Sequence, residues 1–335
     1  MKTLRIGIYS IFVSLICGCA SVSVSQSQKE ALEKINSRNN SAQIIDVGFV
    51  SYDPYRVDSN RITTPTPVNI KGKLFLPSGK GPFPAVVISV SSAGHNDQVM
   101  SGLANDLPNY GYAVLVVQSL LSRGAGAVGD NQQRVSVRGP AVDALYGLEY
   151  LRSLPIIDDD RICVVGHSRG GLVAFNFTYF KSFIEMSGFK GKPFSCNISI
   201  AGSNHYKPKN ETTTKKPALV IFGEKDDVWY DQETIKWINE LRYRGEKVDY
   251  IVLKNTHHSL TTDSKFCPSH HTAKGCKKHL VYDDKNIYID GQPVTRKELT
   301  SRCTAYGYHC TYSSFNMYSE TSKIIVDFLN KNIGK

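Results

Sequence analysis

The sequence predicts an α/β fold: one domain built on a mostly parallel central sheet with helices on both faces. Short apolar runs rich in valine and isoleucine alternate along the chain with segments of helical periodicity. Most of these runs are apolar throughout, which is typical of strands that are covered on both faces. With 335 residues, of which 41% are hydrophobic, the chain is long enough to bury a sizeable core.

The elements of this fold follow one another in a regular order. The apolar runs predict strands at 68–76, 84–89, 112–117, 161–165, 197–200, 218–222 and 248–253. Helical spacing of apolar residues predicts helices at 98–108, 142–151, 171–183, 231–243 and 319–332. Because strands separated by helices form parallel sheets, we expect polar residues that follow the strands to meet at the carboxyl edge.

The first 19 residues predict a lipoprotein signal peptide. Lys2 and Arg5 precede an apolar stretch, 6–16, that is too short to span a bilayer. Gly18-Cys19 resembles the bacterial lipobox, in which the cysteine is acylated and becomes the first residue. An ordinary secretory signal is the alternative, and both export the protein.

The residue after Cys19 is Ala20 rather than aspartate, which by resemblance to enteric sorting rules favours the outer membrane. We therefore expect an outer-membrane lipoprotein that faces the periplasm or the cell surface. Residues 20–43, rich in serine, glutamine and asparagine, are expected to form a flexible tether to an α/β domain at 44–335.

The net charge argues against one class of partner. The formal charge of +10 is scattered along the chain, apart from Lys215-Lys216 and 274–278. A nucleic-acid-binding surface would need a basic stripe with interleaved aromatic residues, so we expect no nucleic-acid partner. A solvated basic surface near anionic lipid headgroups is the simpler interpretation.

Six cysteines follow Cys19. In an oxidising compartment, four of them are expected to form disulfides within one C-terminal segment, with three pairings open: Cys267, Cys276, Cys303 and Cys310. Cys163 and Cys196 lie in apolar strand runs and are expected to be buried thiols. A zinc site is the alternative for the C-terminal segment, because a Cys-x-x-His spacing occurs twice, at Cys267–His270 and Cys276–His279.

The segment Gly166-His167-Ser168-Arg169-Gly170 lies between a predicted buried strand and a predicted helix. A serine hydroxyl needs a general base and a position away from competing contacts to act as a nucleophile. A sharp strand-to-helix turn provides that position, and glycines on either side let the chain make the turn. Ser168 is therefore the candidate nucleophile.

Two partners follow Ser168 in the order that this type of site requires. Asp226 comes just after the strand at 218–222 and is the candidate acid, with Asp227 as the alternative. His258 comes just after the strand at 248–253 and is the candidate base, with His257 as the alternative. Together they predict a Ser-Asp-His triad.

The chain resembles the dienelactone hydrolase family of α/β-hydrolases, and more closely its exported relatives with a serine nucleophile, over roughly residues 65 to 333. The stretches that carry the resemblance are Pro84-Ala-Val-Val-Ile, Ser119-Leu-Leu-Ser-Arg123-Gly124, Asp143-Ala144, 160–168, Gly223-Glu-Lys-Asp226, His258-Ser-Leu and Asp290-Gly291-Gln-Pro-Val. The resemblance implies hydrolysis of a carboxylic ester or lactone through an acyl-enzyme; we expect no cofactor or metal.

Two further expectations concern the surroundings of Ser168. The backbone N–H groups of Ser92 and Arg169 are expected to hold the oxyanion, although Val90-Ser91 stands where relatives usually carry His-Gly. Arg123 is expected to line the pocket and bind a substrate carboxylate, with a structural arginine that bonds loop carbonyls as the alternative.

The segment 261–315 is too long for an ordinary connection. It is expected to form a Cys-rich, bridged cap that restricts the size of a small-molecule substrate. A thioesterase or acyltransferase on the same triad, or a non-catalytic binding lipoprotein, are the alternative functions.

Overall fold

A computed structural model describes the chain over residues 26–38, 40–53, 57–58, 61–62, 66–94, 97–126, 135, 138–179, 189–202, 206–208, 213–226, 231–258, 269–272, 280–282, 287–289, 291–303, 305–308 and 315–334. Its strands are β1 (Gln43–Tyr52), β2 (Val57–Asp58), β3 (Arg61–Ile62), β4 (Pro67–Leu76), β5 (Phe83–Ser89), β6 (Ala113–Val117), β7 (Ile157–His167), β8 (Cys196–Ile200), β9 (Tyr206–Pro208), β10 (Ala218–Gly223), β11 (Val248–Leu253), β12 (Ser269–Thr272), β13 (Leu280–Tyr282), β14 (Ile287–Ile289), β15 (Gln292–Val294) and β16 (Ala305–Tyr308). Its α-helices are α1 (Gln26–Ser37), α2 (Gln98–Asp106), α3 (Ser119–Ser122), α4 (Arg138–Arg152), α5 (Arg169–Tyr179), α6 (Asp231–Tyr243), α7 (Arg296–Cys303) and α8 (Phe315–Ile333).

Eight of these strands form the central sheet, in the order β1-β4-β6-β5-β7-β8-β10-β11. The six strands from β6 to β11 along this order are parallel, whereas β4 is antiparallel to both of its neighbours. The mostly parallel sheet confirms the predicted α/β-hydrolase fold. Each predicted strand and helix has its counterpart here, with ends that differ by a few residues.

Helices cover the two faces of the sheet, and successive residues of β5 point to opposite sides. Ala85 and Val87 belong to a core shared with α1, α4, α5 and α6. Val86 and Ile88 belong to a second core shared with α2 and α8. All seven residues of β5 are buried, which is why its sequence is apolar up to the final Ser89 rather than alternating.

The predicted flexible tether over 20–43 is wrong for its middle part, 26–37. Residues 26–37 form α1, which places Ala31 and Ile35 in the core beside β1. These two residues lie four apart, so they share one face, and Leu32 packs against the same core on a helix that is otherwise polar. The structure also adds β1, which the sequence analysis does not predict, and which pairs with β4 from Gln43↔Leu76 to Tyr52↔Pro67.

The prediction of buried thiols at Cys163 and Cys196 is wrong as well. The two residues are direct partners across the parallel strands β7 and β8, with their Cα atoms 4.6 Å apart, and they form a disulfide. That separation is within the range that a disulfide can bridge. Of the four C-terminal cysteines, Cys267, Cys276 and Cys310 lie outside the described residues, and Cys303 ends α7.

The described part of the C-terminal insertion contains α7 and two small sheets. One sheet has the order β15-β14-β13-β9, and its strand β9 comes from the segment that follows β8. β13 pairs in parallel with β9 through Leu280↔Tyr206. The insertion is therefore joined to the chain just beyond the carboxyl end of β8.

Within the described ranges, no helix is both long enough and apolar enough to cross a bilayer. The predicted signal peptide and the acylation position Cys19 precede residue 26 and lie outside those ranges.

Candidate active site

Ser168 lies at the sharp turn between β7 and α5. Its φ angle of +53° is unusual for a residue other than glycine. The Ser168 N–H donates to the carbonyl oxygen of Ile200 at 2.8 Å, and its own carbonyl accepts from the Leu172 N–H at 2.9 Å. These hydrogen bonds fix the strained turn between the end of β8 and the first turn of α5.

Glycine is required on both sides of Ser168 because backbone approaches closely there. A Cβ on Gly166 would overlap the carbonyl of Gly170. A Cβ on Gly170 would overlap the carbonyl of Ser89, at the carboxyl end of β5. The second contact also brings the loop after β5 against the N-terminus of α5.

Ser168, His258 and Asp226 are joined by two hydrogen bonds. The Nε2 atom of His258 lies 2.8 Å from Ser168 Oγ, and its Nδ1 atom lies 2.8 Å from Asp226 Oδ2. Because a carboxylate can only accept, the Nδ1–H donates to Asp226 and Nε2 accepts from the serine hydroxyl. The Asp226 side chain is fully buried and that of His258 is 8% exposed.

Hydrogen bonds between the loops that follow β10 and β11 bring Asp226 and His258 together. The Lys225 N–H donates to the carbonyl of Thr256 at 2.8 Å, and the Asn255 N–H donates to the Glu224 carboxylate at 2.8 Å. A Cβ on Gly223 would overlap the Thr256 carbonyl, so this close approach requires glycine.

The two alternatives at the acid and base positions have different outcomes. The ring hydrogen-bonded to both Ser168 and Asp226 is that of His258, which favours it over His257. Asp227 lies outside the described residues, whereas Asp226 makes the observed contact.

The two expected oxyanion donors lie in segments that meet beside Ser168. Arg169 is the first residue of α5, where backbone N–H groups are not used within the helix. Ser92 lies in the turn after β5, in the loop that packs on Gly170. Burial lowers the pKa of the Arg169 guanidinium, one nitrogen of which donates to the Val135 carbonyl.

The contacts of Arg123 favour a structural role over the predicted binding of a substrate carboxylate. Its guanidinium donates to both carboxylate oxygens of Asp143, at 3.1 and 2.8 Å, and also to Asp53 and to the Tyr52 carbonyl. Asp143 is fully buried, and burial raises the pKa of its carboxyl while Arg123 opposes that rise. Arg123 is thus the structural arginine of the alternative interpretation, and it neutralises a buried carboxylate.

Three residues of the site escaped the sequence analysis: Gly223, Asp97 and His167. Asp97 is buried at the N-cap of α2, and His167 immediately precedes Ser168. Gly223 stands within a matching stretch, Gly223-Glu-Lys-Asp226, and Asp97 stands one residue before a helical pattern. Both positions can be recognised in the sequence, but their roles depend on contacts with residues that are distant along the chain.

The described residues contain no cluster of histidine, cysteine and carboxylate side chains that could hold a metal ion. The alternative zinc ligands Cys267, Cys276 and His279 lie outside the described ranges, and His270 lies in β12. The site as described consists of a serine, an imidazole and a carboxylate.

A serine on a strand-to-helix turn of a mostly parallel sheet, with histidine and aspartate at the same edge, defines a hydrolase of the α/β-hydrolase class that acts on ester bonds. The sequence model of the dienelactone hydrolase family matches residues 70–281, so the chain belongs to that family. No curated protein matches the sequence.

Two solved structures with a TM-score of 0.50 or above share the fold at low identity, and a third matches with a lower TM-score. A dienelactone hydrolase-like promiscuous phosphotriesterase from metagenomic libraries is 17% identical, with 86% of this chain and 99% of that chain covered and a TM-score of 0.50. A protein named m3DLH is 16% identical, with 85% and 99% covered and a TM-score of 0.52. Esterase 2 of Thermogutta terrifontis is 14% identical, with 62% and 84% covered and a TM-score of 0.44.

Proposed function

We propose that the chain hydrolyses a carboxylic ester or lactone through an acyl-enzyme on Ser168. The observation that carries this proposal is the position of His258, whose ring lies 2.8 Å from Ser168 Oγ on one side and 2.8 Å from Asp226 on the other. A nucleophile in contact with a base that a third group orients is the arrangement that activated serines need.

In the first step, Ser168 Oγ attacks the carbonyl carbon of the ester while His258 Nε2 takes the hydroxyl proton. The carbonyl π bond opens and the oxygen becomes an oxyanion. Asp226 accepts the Nδ1–H of His258 and stabilises the imidazolium that forms. Because the Asp226 carboxylate is fully buried, little water competes for its hydrogen bond with the ring.

The backbone N–H groups of Ser92 and Arg169 are the proposed donors to the oxyanion. The position of Arg169 at the N-terminus of α5 supports this, because the helix dipole favours negative charge there. The packing of the loop after β5 on Gly170 supports the role of Ser92. Backbone donors do not depend on the side chains that replace the His-Gly pair of relatives.

Collapse of the oxyanion breaks the bond to the leaving alcohol, which takes the proton from His258 Nε2. Water then enters, gives a proton to the same nitrogen and attacks the acyl carbon. The second collapse releases the carboxylic acid and returns the proton to Ser168 Oγ. In a lactone, the alcohol and the acid remain in one molecule.

The C-terminal insertion is the proposed cap over this site. Its strand β13 pairs with β9, a short distance along the chain from Ile200, whose carbonyl accepts the Ser168 N–H. An element attached there lies beside the carboxyl edge of the sheet, so we expect it to limit the size of the substrate.

A panel of p-nitrophenyl esters of graded acyl length tests this function, with an organophosphonate probe as a second readout. We expect turnover of short esters and covalent labelling of the wild type. Ser168→Ala should lose both, while Ser122→Ala is a matched control on α3, whose hydroxyl donates to the Gln118 carbonyl. A wild type that neither labels nor hydrolyses any ester would contradict the proposal.

We further propose that the protein is exported and held to a bacterial outer membrane by lipid on Cys19. The Gly18-Cys19 pattern supports acylation, and the Cys163–Cys196 disulfide supports an oxidising compartment. Metabolic labelling with a fatty acid should mark the wild type, whereas Cys19→Ser should stay unlabelled. A wild type without label would contradict the anchor.

A further inference from the structure

A buried histidine–aspartate pair lies next to Ser168 and has no part in the proposed chemistry. His167, the last residue of β7, is 5% exposed, and Asp97, the N-cap of α2, is 4% exposed. His167 Nδ1 lies 3.4 Å from Asp97 Oδ1. Buried charged groups are costly unless they are paired, so the protonation state of this pair matters.

The contacts of His167 indicate an imidazolium. Its Nε2 atom lies 3.2 Å from the main-chain carbonyl oxygen of His258, which can only accept, so Nε2 carries a proton. A neutral ring would then direct the lone pair of Nδ1 at the Asp97 carboxylate, which is repulsive. Burial is the largest single effect and lowers the pKa of His167, but the Asp97 carboxylate, the His258 carbonyl and the Asp226 carboxylate together outweigh it, so the pKa lies above its ordinary value.

Asp97 connects the pair to the loop after β5. Its Oδ2 atom accepts the N–H of Ser91 at 2.8 Å, and its Oδ1 atom accepts the N–H of Met100 at 3.2 Å. Ser91 directly precedes Ser92, the proposed oxyanion donor. The Asp97 carboxylate therefore holds the loop that contains Ser92. It also faces His167, which contacts the main chain of the loop that carries His258.

The charged and titratable groups around His167 are few in the described structure. Asp97 faces it from α2, and the ring of His258 lies 5.6 Å away between centroids. The carboxylate of Asp226 contributes a weaker attraction from the loop after β10. Both carboxylates favour the imidazolium, and the His258 carbonyl accepts one of its protons.

We propose that Asp97 and His167 form a positioning ion pair that holds the Ser91–Ser92 loop and the His258 main chain at fixed distances from Ser168. This inference rests on the proposed function of Ser168 and His258. Neither member of the pair touches the reacting atoms, so both are positioning residues. A buried ion pair often stabilises a protein no more than apolar residues of the same size would. The specific effect of this pair is therefore the placement of the two loops rather than a gain in stability.

Three variants distinguish the effect of the hydrogen-bond donor at residue 167, the effect of the charges of the pair, and general structural effects. His167→Gln keeps an N–H donor for the His258 carbonyl without charge, and His167→Leu removes the donor. Asp97→Asn removes the charge and keeps one acceptor oxygen, which can serve one of the two backbone N–H groups. Tyr112→Phe is the matched control, since it removes a partly buried hydrogen bond of 2.6 Å to Asn330 just before the amino end of β6.

The measurements are kcat, KM and the rate of organophosphonate labelling of Ser168, from about pH 6 to about pH 10. We expect His167→Leu to lower kcat and labelling by about a hundred-fold, as a misplacement of roughly 1 Å does, with little change in KM. His167→Gln should recover about ten-fold of this loss at neutral pH, because it restores the donor.

The pH dependence of activity should change in these variants if the pair acts through its charge. It would not change if the two residues had only a structural role. As pH rises through the raised pKa of His167, the wild type should lose the imidazolium and with it activity. Asp97→Asn removes the main attraction, so this alkaline decline should move to lower pH. His167→Gln has no titrating group there and should lack the decline.

The outcomes distinguish this inference from the proposed function. A wild type that does not label overturns the proposed function, and the inference with it. A wild type that labels, with all three variants equal to it, overturns the inference alone, as does an alkaline decline that His167→Gln retains. An equal loss in Tyr112→Phe would assign the effect to general destabilisation and would also overturn it. If His167→Leu does not fold, the two near-isosteric variants decide.

Discussion

Substitution of Gly223 by alanine tests how closely the loops after β10 and β11 must approach. An ideal Cβ at Gly223 would lie 2.7 Å from the His257 carbonyl oxygen and would overlap the Thr256 carbonyl. Carbon–oxygen contacts settle at roughly 3.3 Å or more. The β11 loop must therefore move by about half an ångström or more, and it carries His258 away from Asp226.

We expect Gly223→Ala to lower kcat by about ten- to a hundred-fold, since a misplacement of roughly 1 Å costs up to a hundred-fold. The assay is organophosphonate labelling of Ser168 together with ester turnover, at a temperature where thermal unfolding shows that the variant is folded. We expect overpacking to lower the free energy of unfolding by about 1 to 3 kcal/mol as well.

The matched control is Gly147→Ala on α4, where a Cβ would lie 3.2 Å from a methyl group of Val117 and 3.3 Å from one of Leu115. It crowds the core without touching the loops of the site, so it should lose stability and keep its labelling rate. If folded Gly223→Ala labels as fast as the wild type, the reasoning about this close approach is wrong.

Three other predictions follow from the same contacts. Asp226→Asn should lower kcat by about ten-thousand-fold because the amide no longer selects the His258 tautomer, and a smaller loss than about ten-fold would contradict this role. Replacing Cys163 and Cys196 by alanine should lower the free energy of unfolding in urea by roughly 3 to 4 kcal/mol, since their separation is 33 residues; an unchanged midpoint would refute the bridge. Arg123→Leu should lower the free energy of unfolding by about 3 to 5 kcal/mol, because Asp143 keeps a buried charge without its cation; unaltered urea unfolding would count against this pairing.

Local pattern was sufficient for most of the sheet and for the three residues of the proposed triad. β5 and β10 are buried on both faces, so their sequences are almost entirely apolar and stand out from the helices. Ser168, Asp226 and His258 each come just after a strand, and parallel strands place such positions at one edge. The order of these three residues along the chain, each after a strand, was therefore enough to predict that they lie together.

The expectations that the structure does not favour involve contacts between distant parts of the chain. Cys163 and Cys196 are bridged because β7 and β8 are neighbours in register, which no local pattern reveals. Arg123 is held by Asp143, twenty residues away, and the sequence alone gives no sign that this carboxylate is buried.

Two elements near the N-terminus were missed for different reasons. Among the described side chains of α1, Ala31 and Ile35 are buried in the core and Leu32 packs against it, so the otherwise polar composition is typical of a tether. β1 alternates, with Ile45, Val47 and Phe49 buried on one face. That alternation is a usable signal, and it would have predicted a strand at the start of the domain expected from residue 44.

The most direct test of the central claim is the mass of the protein during turnover of a slow ester. We predict that the intact mass rises by that of the acyl group minus one hydrogen, and that peptide mapping places the acyl group on Ser168. Ser168→Ala should show no such species. Turnover of the ester by Ser168→Ala at the wild-type rate, or an acyl group on another residue, would contradict the account.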